Sequence, residues 1–452
     1  MAQKRAGGED GFSQQDAKRA RLDDSSRRHP VIPRAGPVAA VVAHSPLVPM
    51  RAHTPQPGYQ AAPYGVQPNA HGSPAFPHTM GKGASPMPSP RVPLAPRAAM
   101  RAQSAPVTHR YSRGPATVEA VVNSFRPTPA YDEAVQEAMD ELLQFLGRVY
   151  HNPPCTNLIL FGSLLQNSYL EGSDLDISLA FGDLDLSANR EACSMLRQLQ
   201  SAIASDRRCG FSVREARLSA TIRVPIICIV YSPHSPRLPP VELDISVGAV
   251  TASDGTRKGF TDEMIGAFLK EDGPFPLAAD VIRLVKIFAK QHVMNEAFTG
   301  FFNSLSWTVV AIFALQRCGL LPAWNDWDSF KPSEHAQSQD LVSCFQAVLR
   351  TICDLDGLRM QVSPEERLCV SLVSGRTMTV PLHVQGVEPR TTIVVEDPGA
   401  RIETDSLNNC ARSLKPHCWS SICGRCYSAM QALQAGDLAS IFPRPPSGGW
   451  RA

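Results

Sequence analysis

Apolar positions along this chain change period twice, and the changes divide it. From about residue 118 to 150 they recur at helical spacing, with Ala134, Ala138, Leu142 and Leu146 on one face. "TNLILF" is a short apolar run of strand length that stops at Gly162-Ser163, where a short helix is expected to begin. "SDLDISLAF" alternates: Leu175, Ile177 and Leu179 point one way, Asp174, Asp176 and Ser178 the other. "REACSMLRQLQSAI" reads as a covering helix, followed by strands in "FSVREARLSA", "IRVPIICIVY" and "PVELDISVGA". After about 260 the helical period returns in "TDEMIGAFLK", "AADVIRLVKIFAKQHV", "SLSWTVVAIFALQRCG" and "DLVSCFQAVLRTICDL", with strand-like pieces such as "TTIVVEDP". No internal repeat is visible. The pattern predicts an α+β protein. A mixed-sheet domain at 150–255 packs on a mostly helical domain built from 118–149 and 256–440.

Composition changes the reading of what precedes these elements. Residues 1–110 hold 14 Lys/Arg against 5 Asp/Glu, 17 of the 39 prolines and none of the 12 cysteines. Such a segment cannot bury enough apolar area to offset its chain entropy, so 1–115 reads as a disordered, basic, Pro-rich arm. Within it, Lys4-Arg5 and the group Lys18, Arg19, Arg21 are separated by 12 residues, the layout of a bipartite nuclear import signal. That spacing predicts the nucleus, with the cytoplasm as the other compartment; the same charges also suit a solvated tail that binds RNA non-specifically. Glu9, Asp10 and Asp16 argue against an acid-poor mitochondrial presequence.

The cysteines, from Cys155 to Cys426, follow no framework spacing, no signal peptide opens the chain, and no apolar run reaches the ~18 residues of a membrane span. A soluble, reducing compartment and no membrane partner are expected. His417, Cys418, Cys423 and Cys426 match no zinc-finger spacing and lie in a helix-like run, so they read as helix rather than metal site.

The chemistry concentrates in three carboxylates. Asp174 and Asp176, one residue apart on a strand, share a face, and like charges that close resist joint ionisation unless a cation neutralises them. Asp244 sits among apolar neighbours on a later strand. On the adjacent strand it would complete a set of hard oxygen ligands for Mg²⁺ or Mn²⁺. Two such ions about 3.5–4 Å apart clamp the attacking and leaving oxygens of a phosphoryl transfer. Gly162-Ser163, between a strand end and a helix start, suits phosphate oxygens, because Gly allows close approach to the backbone. Lys286 and Lys290, at i and i+4, can present two cations to a triphosphate or lie on an ordinary solvated face.

"FGSLLQNSYLEGSDLDISL" resembles the signature of the DNA polymerase beta-like nucleotidyltransferase superfamily. "VIRLVKIFAKQHVMNEAFTGFFNSLSWTVVAIFALQ" and "IVVEDP…NNCARSL" are similar to segments of its terminal uridylyltransferase and poly(A) RNA polymerase branch. The resemblance spans roughly 120–435 and implies a palm-like sheet domain with a poly(A) polymerase-type helical central domain. It implies that Asp174, Asp176 and Asp244 are catalytic and bind the metals, with Asp244 serving the one that activates the RNA 3′-hydroxyl. Gly162, Ser163, Lys286, Lys290, Ser304, Leu305, Asp397 and Asn408 are then the nucleotide-binding positions. The implied partners are an RNA 3′ end, ATP or UTP, and accessory RNA-binding proteins, since no RNA-recognition module is visible.

Three departures bear on substrate. Where the branch stacks the base on a Tyr, this chain has Leu305, with Trp307 and Phe302 as the nearby aromatics. The Asn that usually follows the third carboxylate strand is replaced by Gly248 and Ala249. Uridylyl-adding members often carry a His before the closing Asn; here Asn408 precedes Asn409, which favours ATP, and the loop from Asp397 is longer. The expected activity is template-independent addition of AMP or UMP to RNA 3′ ends. The alternatives are a strictly UTP-using transferase, a catalytically silent RNA-binding scaffold of this fold, and a relative acting on small molecules.

Overall fold

In the computed structural model, which describes residues 114–444 apart from 152–154, 156, 182–188, 207, 220, 223, 249–257, 333–337, 385–386, 388–389 and 401–406, five strands make a mixed sheet. They are β1 (Asn157–Phe161), β2 (Leu175–Ala180), β3 (Phe211–Arg217), β4 (Ile226–Tyr231) and β5 (Val241–Val247), in the order β1-β2-β5-β4-β3. Only β2 and β5 run parallel. The basic arm read at 1–115, with both of its Lys/Arg clusters, lies outside the described residues except for Gly114 and Pro115.

Two helices cover the apolar side of this sheet. α2 (Pro129–Val149) starts with Thr128 accepting from the Tyr131 N–H and Pro129 at its first position, and Asp132 and Arg148 suit its two ends. Ala134, Ala138, Leu142 and Leu146 form its buried stripe, joined by α3 (Asn189–Ser205) through Leu196 and Leu199 over Ile177, Leu179, Leu243 and Ile245. The expectation that joined 118–149 to the helical part is divided by the structure. α1 (Val118–Phe125) puts Val118, Val121 and Val122 into the helical core, and α2 belongs to the sheet. The break falls at Pro127, which stops α1 at the residue before it.

The helical core gathers α4 (Phe260–Phe268), α5 (Ala278–Gln291), α6 (Ser304–Arg317), α7 (Leu341–Arg359) and α8 (Pro416–Gln434), with the short α9 (Leu438–Ile441). α6 is capped by Asn303, whose side chain accepts from the Ser306 N–H at 2.7 Å, and its middle is buried on every side. A three-stranded sheet, β6 (Glu366–Ser371), β7 (Arg376–Pro381) and β8 (Val394–Val395), in the order β7-β6-β8, packs against it and carries the chain toward Asp397. α8 is the helix expected around His417, Cys418, Cys423 and Cys426; Cys418 and Cys426 are buried in the core. Among the described residues no helix is long and apolar enough to cross a membrane.

Candidate active site

Register sets the carboxylates side by side. Asp176 on β2 is the direct partner of Asp244 on β5, and the same row continues through Phe161 on one side and Cys228 and Glu215 on the other. The next row on this face holds Ser178, Ser246, Ile226 and Arg217. Asp174 is exposed just ahead of β2. The expectation that Asp244 lies on the strand beside the Asp-x-Asp pair therefore holds in the sheet order.

Burial and mutual proximity raise the carboxyls on this face. Burial, then the charges of Asp174, Asp244 and Asp262, push the Asp176 carboxyl up to about 8. Asp244 is raised as well, chiefly by burial; the Cys228 thiol donating to it and the Arg217 guanidinium pull the other way. The neighbouring carboxylate and burial push that thiol up to about 12. Lys258 also reaches this face. It donates to Ser178 Oγ at 2.8 Å and Ser246 Oγ at 3.3 Å, lies 4.9 Å from the centre of the Phe161 ring, and is lowered to about 8 by burial.

Among the described residues no group of three or more His, Cys, Asp or Glu side chains is gathered closely enough to hold a metal ion. Asp176 and Asp244 are paired across the parallel strands, Asp174 precedes Asp176 by two residues, and carboxylate oxygens are hard donors. Mg²⁺-type ions bind such donors together with substrate phosphates.

The Gly162-Ser163 loop is fitted to this floor. Gly162 has φ +71°, and a Cβ there would collide with the Asp176 carboxylate, so only glycine leaves both the turn and the acid in place. The short helix expected after it is instead a run of turns over 162–167, closed by Gln166 N–H to Gly162 O at 3.1 Å and ended by Asn167 in the left-handed region at φ 57°. The chain turns away there because its backbone groups are taken by neighbours. The Gly162 N–H is bonded to Asp262, and Arg283 on α5 donates to Asn167 O at 2.9 Å. Gln166 Nε2 donates to Asp262 Oδ1 at 2.6 Å.

Lys286 holds the loop from behind. Its Nζ donates to Ser168 Oγ at 2.6 Å, and burial, with Lys290 and Arg283 nearby, lowers it to about 7. The two lysines are thus not presented together. Lys286 is 5% exposed under the loop and Lys290, one turn on, is exposed. The pair that meets the loop is Arg283 and Lys286, at i and i+3, because α5 turns that stripe toward the palm.

The closing segment reaches the same place. Asp397 accepts from Thr261 Oγ1 at 2.5 Å, from the Gly399 N–H at 3.1 Å and from Asn408 Nδ2 at 2.7 Å. Thr261 is next to Asp262, so Asn408, Asp397, the start of α4 and the Gly162 loop form one connected path. Ser304 is exposed at the first position of α6, and Leu305 packs partly against the helical core. Neither Trp307 nor Phe302 can replace the missing aromatic. Both are fully buried, stacked edge-on at 5.4 Å, and the Trp307 indole donates to Met294 O at 2.9 Å.

Sequence reasoning missed Asp262, Thr261, Gln166, Lys258 and Arg217. Asp262 and Thr261 look like ordinary residues of a helix start, where an acid is favoured by the helix dipole alone. Arg217 was concealed by a β-bulge. Val213 pairs with Ile229 but Glu215 with Cys228, so Arg214 is the extra residue and the strand changes face between them.

The chain is similar to several known proteins. A family described as poly(A) RNA polymerase, mitochondrial-like, central palm domain matches residues 116–257. Protein HESO1 of Arabidopsis thaliana is 28% identical over 205 residues, covering 45% of this chain and 36% of that protein. The chain thus spans about a third of the length of that curated relative. Among solved structures, the Cid1 poly(U) polymerase superposes with a TM-score of 0.52 at 17% identity, covering 72% of this chain and 96% of its own. A cytoplasmic RNA terminal U-transferase gives 0.52 at 17% identity, with 73% and 98% covered. The palm match and the shared fold agree: residues 116–257 resemble the central palm of the poly(A) RNA polymerases, and the chain has the fold of the Cid1 poly(U) polymerase.

Proposed function

We propose that this protein is a template-independent RNA 3′-terminal nucleotidyltransferase that uses ATP in preference to UTP. The observation that carries the reading is the Asp176–Asp244 pairing across parallel strands, with Asp174 alongside and a glycine-lined loop directly over Asp176. Such a set of like charges is held at a cost in folding stability, and a silent scaffold gains nothing from it.

In this reading Asp174 and Asp176 would hold two divalent ions, and Asp244 the one nearer the RNA. When bound, the ions supply charge neutralisation at the attacking and leaving oxygens. The Ser163 hydroxyl and loop backbone orient the triphosphate, with exposed Lys290 and Ser304 on its far side. Lys286 fixes the loop through Ser168. The RNA 3′-hydroxyl attacks the α-phosphate in line, and pyrophosphate leaves. Mg²⁺ and Mn²⁺ both suit the all-oxygen donors.

Asn408 supports the choice of ATP. One of its two Nδ2 hydrogens is donated to Asp397 Oδ2 at 2.7 Å, and the amide oxygen of this exposed side chain can accept from a base. Adenine's exocyclic amine would donate to that oxygen, where uracil carries its acceptor O4. A histidine-to-asparagine variant of the Cid1 poly(U) polymerase has been solved with MgATP, at TM-score 0.53 and 18% identity to this chain. Asn408 stands where the resemblance puts that position.

The test is purified protein, Mg²⁺ or Mn²⁺, a short labelled RNA and each NTP separately. Ladder growth with ATP above UTP, lost in Asp176→Ala, is expected. No extension by the intact protein with any NTP and either metal would sink the reading. We also propose nuclear import through Lys4-Arg5 and Lys18, Arg19, Arg21; a fluorescent fusion that stays cytoplasmic would refute it.

A further inference from the structure

The catalytic face does not end at the carboxylates. Beyond Asp244 the bulge turns Glu215 and Arg217 onto the same side of the sheet, and Glu215 holds the Arg217 guanidinium through two bonds at 2.6 and 2.8 Å. Glu215 shares the row of Cys228 and Asp244, and Arg217 shares the next row, with Ile226 and Ser246. Over the other side of that guanidinium lies the ring of Phe298, its centre 5.1 Å from Arg217 Cζ.

Phe298 is 87% exposed, the most exposed large apolar side chain among the described residues. Its position is not slack. It sits in a single tight turn (Ala297–Thr299) closed by Gly300 N–H to Ala297 O and Phe301 N–H to Glu296 O, and tied to α8 by Lys415 N–H to Gly300 O at 2.8 Å. Gly300, at φ +103° against the Lys415 side chain, admits no Cβ. A lone exposed aromatic on a surface is ordinary. One held rigidly over a clamped guanidinium at the rim of a carboxylate site is a stacking platform of the kind that binds single-stranded nucleic acid.

We propose that Phe298 and Arg217 form the seat of the RNA's 3′-terminal nucleotide. The base stacks on the open face of the Phe298 ring, Arg217 holds the phosphate on its 5′ side, and the 3′-hydroxyl is turned toward Asp244. The seat rests on the RNA 3′-end reading above, and it assigns a role to two residues that the nucleotide-binding set leaves out. It also accounts for how a chain with Leu305 in place of an aromatic retains one ring at the site, on the primer side instead of the incoming-nucleotide side.

The experiment uses the full chain and a short RNA carrying 2-aminopurine either at the 3′ end or four nucleotides inside it, without NTP. Binding is expected to change the fluorescence of the terminal probe and much less that of the internal one. Phe298→Leu should abolish the terminal response and weaken RNA binding about tenfold, Phe298→Trp should restore both, and Arg217→Gln should flatten the salt dependence. In turnover assays the KM for RNA should rise in Phe298→Leu with the KM for ATP unchanged. Unaltered RNA affinity and probe response in Phe298→Leu would overturn the seat. So would a rise confined to the KM for ATP, which would place the ring under the incoming base. If the intact protein extends no RNA, the transfer reading fails, and the fluorescence still decides the seat.

Discussion

The palm face and the core of the helical part bury polar groups on opposite terms. On α6, in the middle of the helical part, buried polar side chains donate to backbone: Trp307 to Met294 O, Gln316 Nε2 to Pro322 O and Leu372 O, Thr308 to Ser304 O. On the palm face Asp176 and Asp244 are half- or mostly buried beside one another, with Asp262 reaching them from the start of α4, and each is raised from its ordinary value. The first region spends its polar atoms on fixing a unique packing. The second gathers carboxyls whose ionisation is disfavoured by burial and by one another's charge. The difference separates the residues that keep the protein folded from those kept ready for a ligand.

Substitutions can break that contrast, and the largest effect is expected at its centre. Asp176→Ala should lower nucleotide transfer at least about a thousandfold, from the several kcal/mol of charge stabilisation that bound metal provides. Asp176→Asn should do nearly the same while stabilising the metal-free fold. The carboxyl is raised from its ordinary 3.8 to about 8, so the native state binds more protons across that interval. Its contribution is fully present below pH 3.8 and is lost as pH rises through 8. In EDTA at about pH 9 the Asn variant should therefore melt above the natural protein, with the gap closing toward acid; a lower melting temperature would contradict the assignment.

Trp307→Ala tests the other region. Removing a fully buried indole is expected to cost about 3–5 kcal/mol in denaturant titrations. The fraction that remains folded should keep the natural KM for ATP. A changed KM with unchanged stability would mean that the two regions are not separable.

Gly162→Ala should cost about 1–2 kcal/mol from its positive φ alone. It should also cut transfer about a hundredfold, because the methyl group displaces the Asp176 carboxylate. Equal loss of stability and no loss of rate would argue against the loop as a phosphate cradle. The smallest effect is expected at Asn408→His, which should shift the ratio of ATP to UTP use toward UTP by about tenfold, one hydrogen bond to a base edge, with the melting temperature unchanged. A ratio that does not move would remove Asn408 from base reading.

Much of the palm was legible because its signal is local. Period-2 alternation put Asp174, Asp176 and Ser178 on one face before any partner strand was known, and Asp244 among apolar residues marked the second carboxylate strand. The rest depends on contacts across the chain. The i, i+4 spacing of Lys286 and Lys290 gives a helix face but does not say that the adjacent Arg283–Lys286 stripe meets the loop. Asp262 was hidden because an acid at a helix start has a local explanation that needs no active site. Strict alternation would have left Glu215 and Arg217 on the core side with Val213, since a bulge is invisible to periodicity.

That bulge also separates what can change in this fold from what cannot. The carboxylate row is locked between strands paired on both edges, so a one-residue insertion in β2 or β5 would turn every acid to the wrong side. β3 is an edge strand, and its irregular step is absorbed where no further strand must follow it. Insertions and deletions along β3 can therefore move or remove the guanidinium flank while the acids stay in frame. Variation in how a substrate strand is held can arise there by small changes in length, independently of the residues that carry out the transfer.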